Sequence, residues 1–263
     1  MATDKRARKR DARAARDAAL RQRRNARLIG LGVLGLVSVG LIAFGAMGDS
    51  DEEPEGGATP ASAAAACDSE APPEADPQQY DAPEQVLEEG VDYRAIIHTS
   101  CGDIEMDLFE AEAPDTVNSF VFLAQEGYFD GLIWHRISNN FVVQTGDPDG
   151  QNGSGVDGPG YSLEDENLPA QGRVYQFGVV AMANSGPDTA GSQFFIISHL
   201  GPDDNPEPAG LDPLYSIFGE VAESSFETVL TIARQETKGG NDPVVAEQPI
   251  VPVYIESIEI IEA

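Results

Sequence analysis

The sequence predicts a mainly β fold for its C-terminal two thirds, a closed antiparallel sheet accompanied by two helices. Strand-length segments there alternate apolar and polar side chains, as Ile104, Met106 and Leu108 do around two acidic residues. Such a period of two is typical of strands that are buried on one face. Turn-forming residues separate these segments at short intervals, which favours antiparallel neighbours and a closed sheet. Two segments have the apolar spacing of a helix instead.

The first elements in chain order are a hairpin and a helix. Strands are predicted at residues 93–99 and 104–108, joined by a Ser-Cys-Gly-Asp turn. A helix is predicted next, with Pro114 near its start and Gly127 as its stop. Its apolar side chains at helical spacing are Val117, Phe120, Val121 and Ala124.

The remaining predicted elements are short strands and a second helix. The helix covers residues 226–234. The strands cover residues 133–138, 141–145, 176–182, 193–197, 217–221 and 251–261. These elements place one folded domain in residues 91–263, which at about 170 residues is long enough for a single core.

The N-terminal part of the chain predicts a membrane anchor. Residues 1–27 carry eleven of the sixteen Lys and Arg against three Asp, and residues 28–47 contain no charged side chain. About twenty apolar residues are what a helix needs to cross the hydrocarbon core. A basic flank before the span and an acidic one after it predict a single-pass cell-membrane protein with a cytoplasmic N-terminus and an extracytoplasmic catalytic domain. A cleaved signal peptide is the alternative, although the long basic region and a weak cleavage site argue against it.

Residues 48–90 are predicted to be a disordered acidic linker. They contain thirteen Asp and Glu, no Lys or Arg and few large apolar groups, so they cannot bury enough surface to offset the entropy of ordering. After residue 47 the chain has five basic against forty-two acidic residues. Nucleic acid is therefore not an expected partner, and the basic arm in residues 1–27 is interpreted as an orientation signal that attracts anionic lipid.

Two cysteines follow the predicted span, Cys67 in the linker and Cys101 in the first hairpin turn. Both are expected in an extracytoplasmic compartment, where disulfides persist. A bridge between them is predicted, and the loop that it closes corresponds to about 3 to 4 kcal/mol of stabilisation by chain entropy. Two unpaired thiols are the alternative.

Two sequence blocks carry the evidence for function. One runs from Trp134 to Asp147 as WHRISNNFVVQTGD, and the other runs from Val180 to Ile196 as VAMANSGPDTAGSQFFI. They combine apolar strand residues with amides, and the first contains an isolated arginine, which is unusual for strands that only fill a core. The two blocks resemble the cyclophilin family of peptidyl-prolyl cis/trans isomerases. The resemblance implies an eight-stranded barrel capped by two helices, and an enzyme that needs no cofactor. No metal site is predicted either, because His98, His135 and His199 are widely spaced and lack the spacing of paired ligands.

Arg136 is the predicted catalytic residue. It is one of five basic residues outside the arm and lies in an otherwise aromatic and apolar strand. Rotation about an X-Pro bond makes the prolyl nitrogen pyramidal, so a fixed cationic donor stabilises the twisted state more than the ground state. The resemblance aligns Arg136 with the family's catalytic arginine in a Phe-His-Arg segment, with Trp134 in place of the Phe. The alternative interpretation is a structural arginine that is paired with a carboxylate.

The resemblance also assigns residues around this arginine. Gln144 aligns with a glutamine that contacts the substrate backbone, and the pleat places Val142 on the same face while Val143 turns away. Phe141, which lines the proline pocket, joins Arg136 and Gln144 in the predicted catalytic set. The substrate-binding residues implied besides Val142 are Gly153, Ala183, Asn184, Gln193, Phe195, Leu211 and Tyr215. Ordinary core packing is the alternative for each apolar member taken alone.

The sequence thus predicts a membrane-tethered peptidyl-prolyl cis/trans isomerase that assists the folding of exported proteins. Its expected partners are proline-containing polypeptides and, through residues 28–47, the membrane. The catalytic domain is expected to be monomeric. The alternative function is a chaperone or scaffold of the cell envelope that binds proline peptides without turnover. The two functions differ in whether the protein accelerates X-Pro isomerisation.

Overall fold

The strands form one eight-stranded antiparallel sheet that curls around an apolar interior, which confirms the predicted mainly β class. The computed structural model describes residues 67, 72, 74–76, 78–149, 158–169, 175–201 and 209–262. The strands are β1 (Tyr93–Thr99), β2 (Gly102–Leu108), β3 (Arg136–Ser138), β4 (Val142–Thr145), β5 (Val179–Met182), β6 (Phe194–Ile197), β7 (Ile217–Val221) and β8 (Ile255–Glu262). Their order in the sheet is β3-β4-β6-β5-β7-β2-β1-β8, and every neighbouring pair is antiparallel.

Both predicted helices are present, and a third, shorter helix follows them. The helices are α1 (Pro114–Gln125), α2 (Phe226–Ala233) and α3 (Pro243–Ala246). Phe120 of α1 lies at the centre of the interior, with ring centroids 5.2 Å from Phe218 and 5.5 Å from Phe129. Such aromatic pairs each add about 0.5 to 1.5 kcal/mol beyond the area that they bury. Side chains of α1 and α2 therefore belong to the same core as the curled sheet.

The two edge strands, β3 and β8, meet through the residues that precede them. Trp134 donates its N–H to the carbonyl of Val253 at 2.8 Å, and Ile133 forms an isolated bridge with Tyr254. Within the described ranges no ladder joins β3 directly to β8. The closed barrel that the resemblance implied is therefore a curled sheet with a single bridge across its opening. The reason is that a loop, and not β8, occupies the free edge of β3, where Ile137 donates its N–H to the carbonyl of Glu247.

Residues 78–90, which we call the N-terminal strap, pack against the domain. The side chain of Asn118 in α1 is buried, and its Oδ1 accepts the N–H groups of Val86 at 2.8 Å and Leu87 at 3.3 Å. This corrects the predicted linker, residues 48–90, at its C-terminal end. Its acidic composition indicated disorder, but backbone groups held by one buried amide do not need a large apolar surface of their own.

Tyr80 fixes the beginning of the strap. Its ring lies edge-on to Phe122 with centroids 4.9 Å apart, and its N–H donates to the carbonyl of Pro159 at 2.7 Å. Burial raises the pKa of the Tyr80 hydroxyl to about 12. Gly160 has a φ of +96°, and a Cβ there would lie 2.5 Å from the carbonyl oxygen of Tyr80. Glycine at this position therefore lets the strap approach the domain closely.

A disulfide joins Cys67 to Cys101. Both side chains pack against the buried apolar residues inside the curled sheet, which we call the interior cluster and to which Phe120, Phe129 and Phe218 belong. The strap and the first hairpin are therefore covalently connected through the chain that precedes the strap. No helix in the part of the chain that the structure describes is long and apolar enough to cross a membrane. The predicted arm and span, residues 1–47, and most of the predicted linker lie outside the described residues.

Candidate active site

The register of β3, β4 and β6 sets a row of side chains on the outer face of the sheet. Arg136 is paired with Gln144, and Gln144 is paired with Phe195 on the next strand. Residues that face each other across antiparallel strands lie on the same side of the sheet. Val142 belongs to the same outer face, whereas Val143 is fully buried in the interior cluster, as the pleat predicts.

Arg136 stands at one end of this row. Its Nη1 donates to Oε1 of Gln144 at 3.3 Å, and its Cζ lies 6.0 Å from the centroid of the Phe141 ring. Gln144 in turn donates from Nε2 to Oε1 of Gln193 at 2.9 Å. The side chain of Arg136 is 38% exposed, so the cation is accessible to a ligand. The structure therefore brings together the predicted catalytic set and Gln193.

Arg136 also has a carboxylate partner, as the alternative interpretation of this arginine expected, but the sequence did not identify Glu247 as that partner. Its Nε donates to Oε2 of Glu247 at 2.5 Å, and the hydroxyl of Ser138 donates to Oε1 of the same carboxylate at 2.6 Å. Burial raises the pKa of Glu247, but the hydrogen bonds from Ser138 and Arg136 and the charge of Arg136 outweigh it, so the pKa lies below its usual value. Arg136 and Glu247 are 111 positions apart, so no local pattern in the sequence connects them.

An apolar cluster, which we call the site cluster, occupies the outer face beside this row. Its buried members are Phe109, Val142, Tyr175, Val179, Ala181, Phe195, Ile197, Ala209 and Ile217. Its half-buried members are Phe141, Ala183, Leu211 and Tyr215. The six apolar residues that the resemblance assigned to the substrate pocket all belong to this cluster. Its half-buried side chains form an apolar surface next to the exposed guanidinium of Arg136.

Tyr215 is held in this surface by Tyr175, a residue that the sequence analysis also missed. The hydroxyl of Tyr175 donates to the carbonyl of Tyr215 and accepts its N–H, both at 2.9 Å. The ring of Tyr215 lies edge-on to Phe195 with centroids 5.4 Å apart. Burial raises the pKa of Tyr175 to about 12, so its hydroxyl keeps the proton that it donates. An aromatic residue just before a predicted strand was the only sequence signal, and core packing explains it equally well.

Ala183 and Asn184 follow β5 and border the same surface. Ala183 donates its N–H to the carbonyl of Gln193 at 2.9 Å, and Nδ2 of Asn184 donates to the carbonyl of Leu214 at 2.7 Å. These bonds place Ala183 beside Gln144 and Gln193, which we call the amide pair, and Asn184 beside the residue before Tyr215. The predicted loop glycine, Gly153, lies outside the described residues.

A curled eight-stranded antiparallel sheet with an arginine and glutamine beside an apolar, aromatic surface is the arrangement that the two sequence blocks imply. The model of the family described as cyclophilin type peptidyl-prolyl cis-trans isomerase/CLD matches residues 94–260. The chain therefore belongs to the cyclophilin-type peptidyl-prolyl cis-trans isomerases. The strap, the disulfide-bonded Cys67 and everything before them lie outside the matched region.

Bacterial and eukaryotic relatives agree with this family. The chain is 38% identical over 184 residues to peptidyl-prolyl cis-trans isomerase A of Mycobacterium tuberculosis, an alignment that covers 63% of this chain and 91% of the relative. It is 35% identical over 194 residues to a putative peptidyl-prolyl cis-trans isomerase of Staphylococcus saprophyticus, covering 66% and 94%. The crystal structure of a cyclophilin type isomerase from Cryptosporidium parvum superimposes with a TM-score of 0.54 at 29% identity, covering 65% of this chain and 99% of that one.

Proposed function

We propose that this protein isomerises X-Pro peptide bonds at the site cluster, with Arg136 stabilising the twisted state. Resonance between the amide nitrogen and the carbonyl opposes rotation with a barrier of about 18 to 20 kcal/mol. In the twisted state the prolyl nitrogen regains its lone pair and accepts a hydrogen bond. A donor that is fixed where this lone pair develops lowers the barrier, because it contributes little to the planar ground state.

The observation that carries this proposal is the position of Arg136 at the edge of an apolar surface. The Cζ of Arg136 lies 6.0 Å from the ring centroid of Phe141, a half-buried member of the site cluster. A pyrrolidine ring on this surface needs no polar partner, whereas the nitrogen of the same ring would lie next to the cation. Gln144 and Gln193 supply amide groups for the peptide backbone on the same side. No bond to carbon is broken, so the reaction requires neither a nucleophile nor a cofactor.

Proline-containing polypeptides are the proposed substrates. A solved cyclophilin type isomerase of Cryptosporidium parvum was crystallised in the presence of the dipeptide Ala-Pro, and that structure superimposes on this chain with a TM-score of 0.53. The half-buried residues Phe141, Leu211 and Tyr215 offer a surface that a prolyl ring can cover. We propose that exported proteins during folding are the natural source of such segments.

The proposed location is the outer side of a cell membrane, with residues 28–47 as a single span and the N-terminus in the cytoplasm. The uncharged span and the opposite charges of its flanks support this orientation. The disulfide between Cys67 and Cys101 also supports it, because such bonds persist in oxidising, extracytoplasmic compartments. Protease added to intact protoplasts that express the full chain should digest the domain. A domain that stays protected until the membrane is lysed would contradict the proposed orientation.

Catalysis is tested by a protease-free exchange assay on an X-Pro peptide. Arg136→Ala is expected to lower kcat/KM by about 100-fold or more, the scale seen when one transition-state donor is removed. Arg234→Ala is the matched control, because it removes the same charge from an exposed side chain that pairs with Glu227 at 3.7 Å. Wild-type rates equal to the uncatalysed rate would favour the alternative function, a chaperone or scaffold that binds proline peptides without turnover. Equal rates for wild type and Arg136→Ala would remove Arg136 from the mechanism.

A further inference from the structure

We infer that Glu247 is a positioning residue for Arg136, one that fixes the guanidinium in the direction that catalysis requires. The inference rests on the proposed catalytic role of Arg136 and adds a residue from a distant part of the chain. Glu247 follows α3 directly, and within the described residues its side chain hydrogen-bonds to Arg136 and Ser138 and to no member of the site cluster or the amide pair. It would act on the reaction through Arg136 alone.

Glu247 is bonded to all three residues of β3. Its carboxylate accepts from Nε of Arg136 at 2.5 Å and from the hydroxyl of Ser138 at 2.6 Å. Its backbone carbonyl accepts the N–H of Ile137 at 2.7 Å. One carboxylate oxygen is used by each side chain, so the carboxylate cannot turn without losing a bond. The backbone bond fixes the Cα from which the side chain extends.

The guanidinium is therefore held along two edges. Glu247 binds the Nε edge, and Gln144 accepts from Nη1 at 3.3 Å. Among the described residues Nη2 has no hydrogen-bond partner, which leaves one donor group of Arg136 for a substrate. A long arginine side chain that is 38% exposed would otherwise exchange between several rotamers. Two bonds in the plane of the guanidinium remove most of this freedom.

A carboxylate holds Arg136 in this acidic domain better than a neutral acceptor would. The domain in residues 91–263 is strongly acidic, with five basic against twenty-nine acidic residues, so an unheld arginine would have many competing partners. A charge-assisted hydrogen bond at the Nε edge competes best against these partners. It is made at Nε, and Gln144 accepts at Nη1, so the two bonds orient the cation and leave Nη2 without a hydrogen-bond partner among the described residues.

The first experiment separates positioning from substrate binding. Glu247→Ala is expected to lower kcat by about tenfold while KM changes by less than about twofold, because misorientation of a catalytic group slows the chemical step. Glu247→Gln keeps the shape but loses the charge, and an intermediate loss of about threefold is expected since neutral bonds are roughly half as strong. Glu227→Ala is the matched control, a carboxylate with 76% exposure that pairs with Arg234. Wild-type kcat in both Glu247 variants would overturn the inference.

The second experiment is a double-mutant cycle, which also separates this inference from the proposed function. In the Arg136→Ala background, Glu247→Ala is expected to have no further effect on kcat/KM, because the group that it positions is gone. An equal loss in both backgrounds would mean that Glu247 only maintains the fold, and would overturn its positioning role. If Arg136→Ala itself retains the wild-type rate, the proposed function fails instead.

An NMR measurement tests the hydrogen bond between Arg136 and Glu247 directly, without an assay of activity. The Nε–H of Arg136 in wild type is expected to give a resolved, slowly exchanging NMR signal, because it donates to Glu247 at 2.5 Å. In Glu247→Gln this signal should move upfield and exchange at least about tenfold faster, as expected for a weaker hydrogen bond. Ser138→Ala should produce a smaller change in the same direction, and Ser138→Thr, which keeps the hydroxyl, should restore the signal. An Nε–H signal that is identical in wild type and Glu247→Gln would overturn the inference.

Discussion

Two neighbouring phenylalanines of β6 lie on opposite faces of the sheet and have different surroundings. Phe194 is fully buried in the interior cluster. Its ring contacts are Phe120, Phe129, Trp134 and Phe218. Phe195 is 4% exposed in the site cluster, where its ring contact is the half-buried Tyr215. One position along the strand thus separates a side chain with neighbours on every side from one that borders an accessible surface.

The difference indicates how this small domain divides stability from function. Interior side chains gain free energy from complete burial, and their replacement leaves a cavity that the surroundings fill poorly. Side chains of the outer face lose less when they are truncated, because solvent or a ligand can occupy the space. Substitutions on the interior face should therefore change mainly the free energy of unfolding, and substitutions on the outer face should change mainly kcat/KM.

The largest effect is expected for Phe194→Ala. Removal of a fully buried ring with four aromatic neighbours should lower the free energy of unfolding by about 3 to 5 kcal/mol. Urea unfolding followed by tryptophan fluorescence measures this loss, since Trp134 is the single tryptophan and lies 6.2 Å from the Phe194 ring. The fraction that remains folded should keep a kcat/KM within about threefold of wild type, as its outer face is unchanged. If kcat/KM of the folded fraction fell by more, expressed as a free energy, than the free energy of unfolding, stability and function would not be divided between the two faces.

The disulfide is the next largest contribution, and it belongs to the interior side of the comparison. Cys101→Ser should lower the free energy of unfolding by about 2 to 4 kcal/mol, because the unfolded chain is no longer closed into a loop. Hydrogen exchange at Val86 and Leu87 should accelerate, since the strap is then held by non-covalent contacts alone, among them those with Asn118 and Tyr93. The rate of X-Pro isomerisation per folded molecule should not change. Unchanged stability would show that the buried contacts of the strap suffice without the covalent bond.

Most of the fold could be predicted because alternation and turn residues are local signals. β1 and β7 begin and end at the predicted residues, Tyr93–Thr99 and Ile217–Val221. The C-terminal strand begins at Ile255 and not at residue 251, because the residues before it form the bridge that closes the sheet. α3, with four residues, is too short to show any periodicity.

The candidate site was predicted only as far as its motifs extend. Arg136 and Gln144 lie eight positions apart in one block, so the resemblance could assign both. Glu247 and Tyr175 reach the site from chain segments without a motif, and their partners are 111 and 40 positions away. The strap was missed for a related reason, since the buried amide of Asn118 that holds it is 32 positions from Val86. Contacts of this kind depend on tertiary structure and leave no pattern in the sequence.

A smaller loss of stability is expected for Phe195→Ala, the counterpart of the interior substitution. Its ring borders the accessible surface, so the loss is near the transfer free energy of the side chain, about 1 to 3 kcal/mol, without a full cavity term. Catalysis should suffer more, because the ring supports Tyr215 and the apolar surface beside Arg136. We expect kcat/KM to fall by about tenfold, the scale of about 1.4 kcal/mol. If Phe194→Ala and Phe195→Ala lose stability and activity in the same proportion, the two faces do not differ in the way that their surroundings suggest.

The smallest effect concerns His135, which lies on the interior side of the chain directly before Arg136. Burial lowers the pKa of His135 from 6.5, the Asp147 carboxylate opposes this shift, and the charge of Arg136 reinforces it. The unfolded chain protonates this histidine below about pH 6.5, whereas the folded protein resists protonation, so the unfolded state binds more protons in that range. The stability that the neutral side chain contributes is fully present above about pH 6.5 and is lost as the pH falls toward the folded pKa.

The expected slope from His135 is at most about 1.4 kcal/mol per pH unit, measured as the free energy of unfolding in urea between about pH 5 and 7.5. His135→Gln should flatten this slope in proportion. Arg136 keeps its charge over the whole range, so kcat of the folded enzyme should remain level while stability declines. That result would extend the comparison to adjacent residues, with a buried group that senses pH through folding beside an exposed one that does not. A kcat that falls in parallel with stability would instead show that protonation of His135 alters catalysis by Arg136. Interior and site would then not be independent at β3.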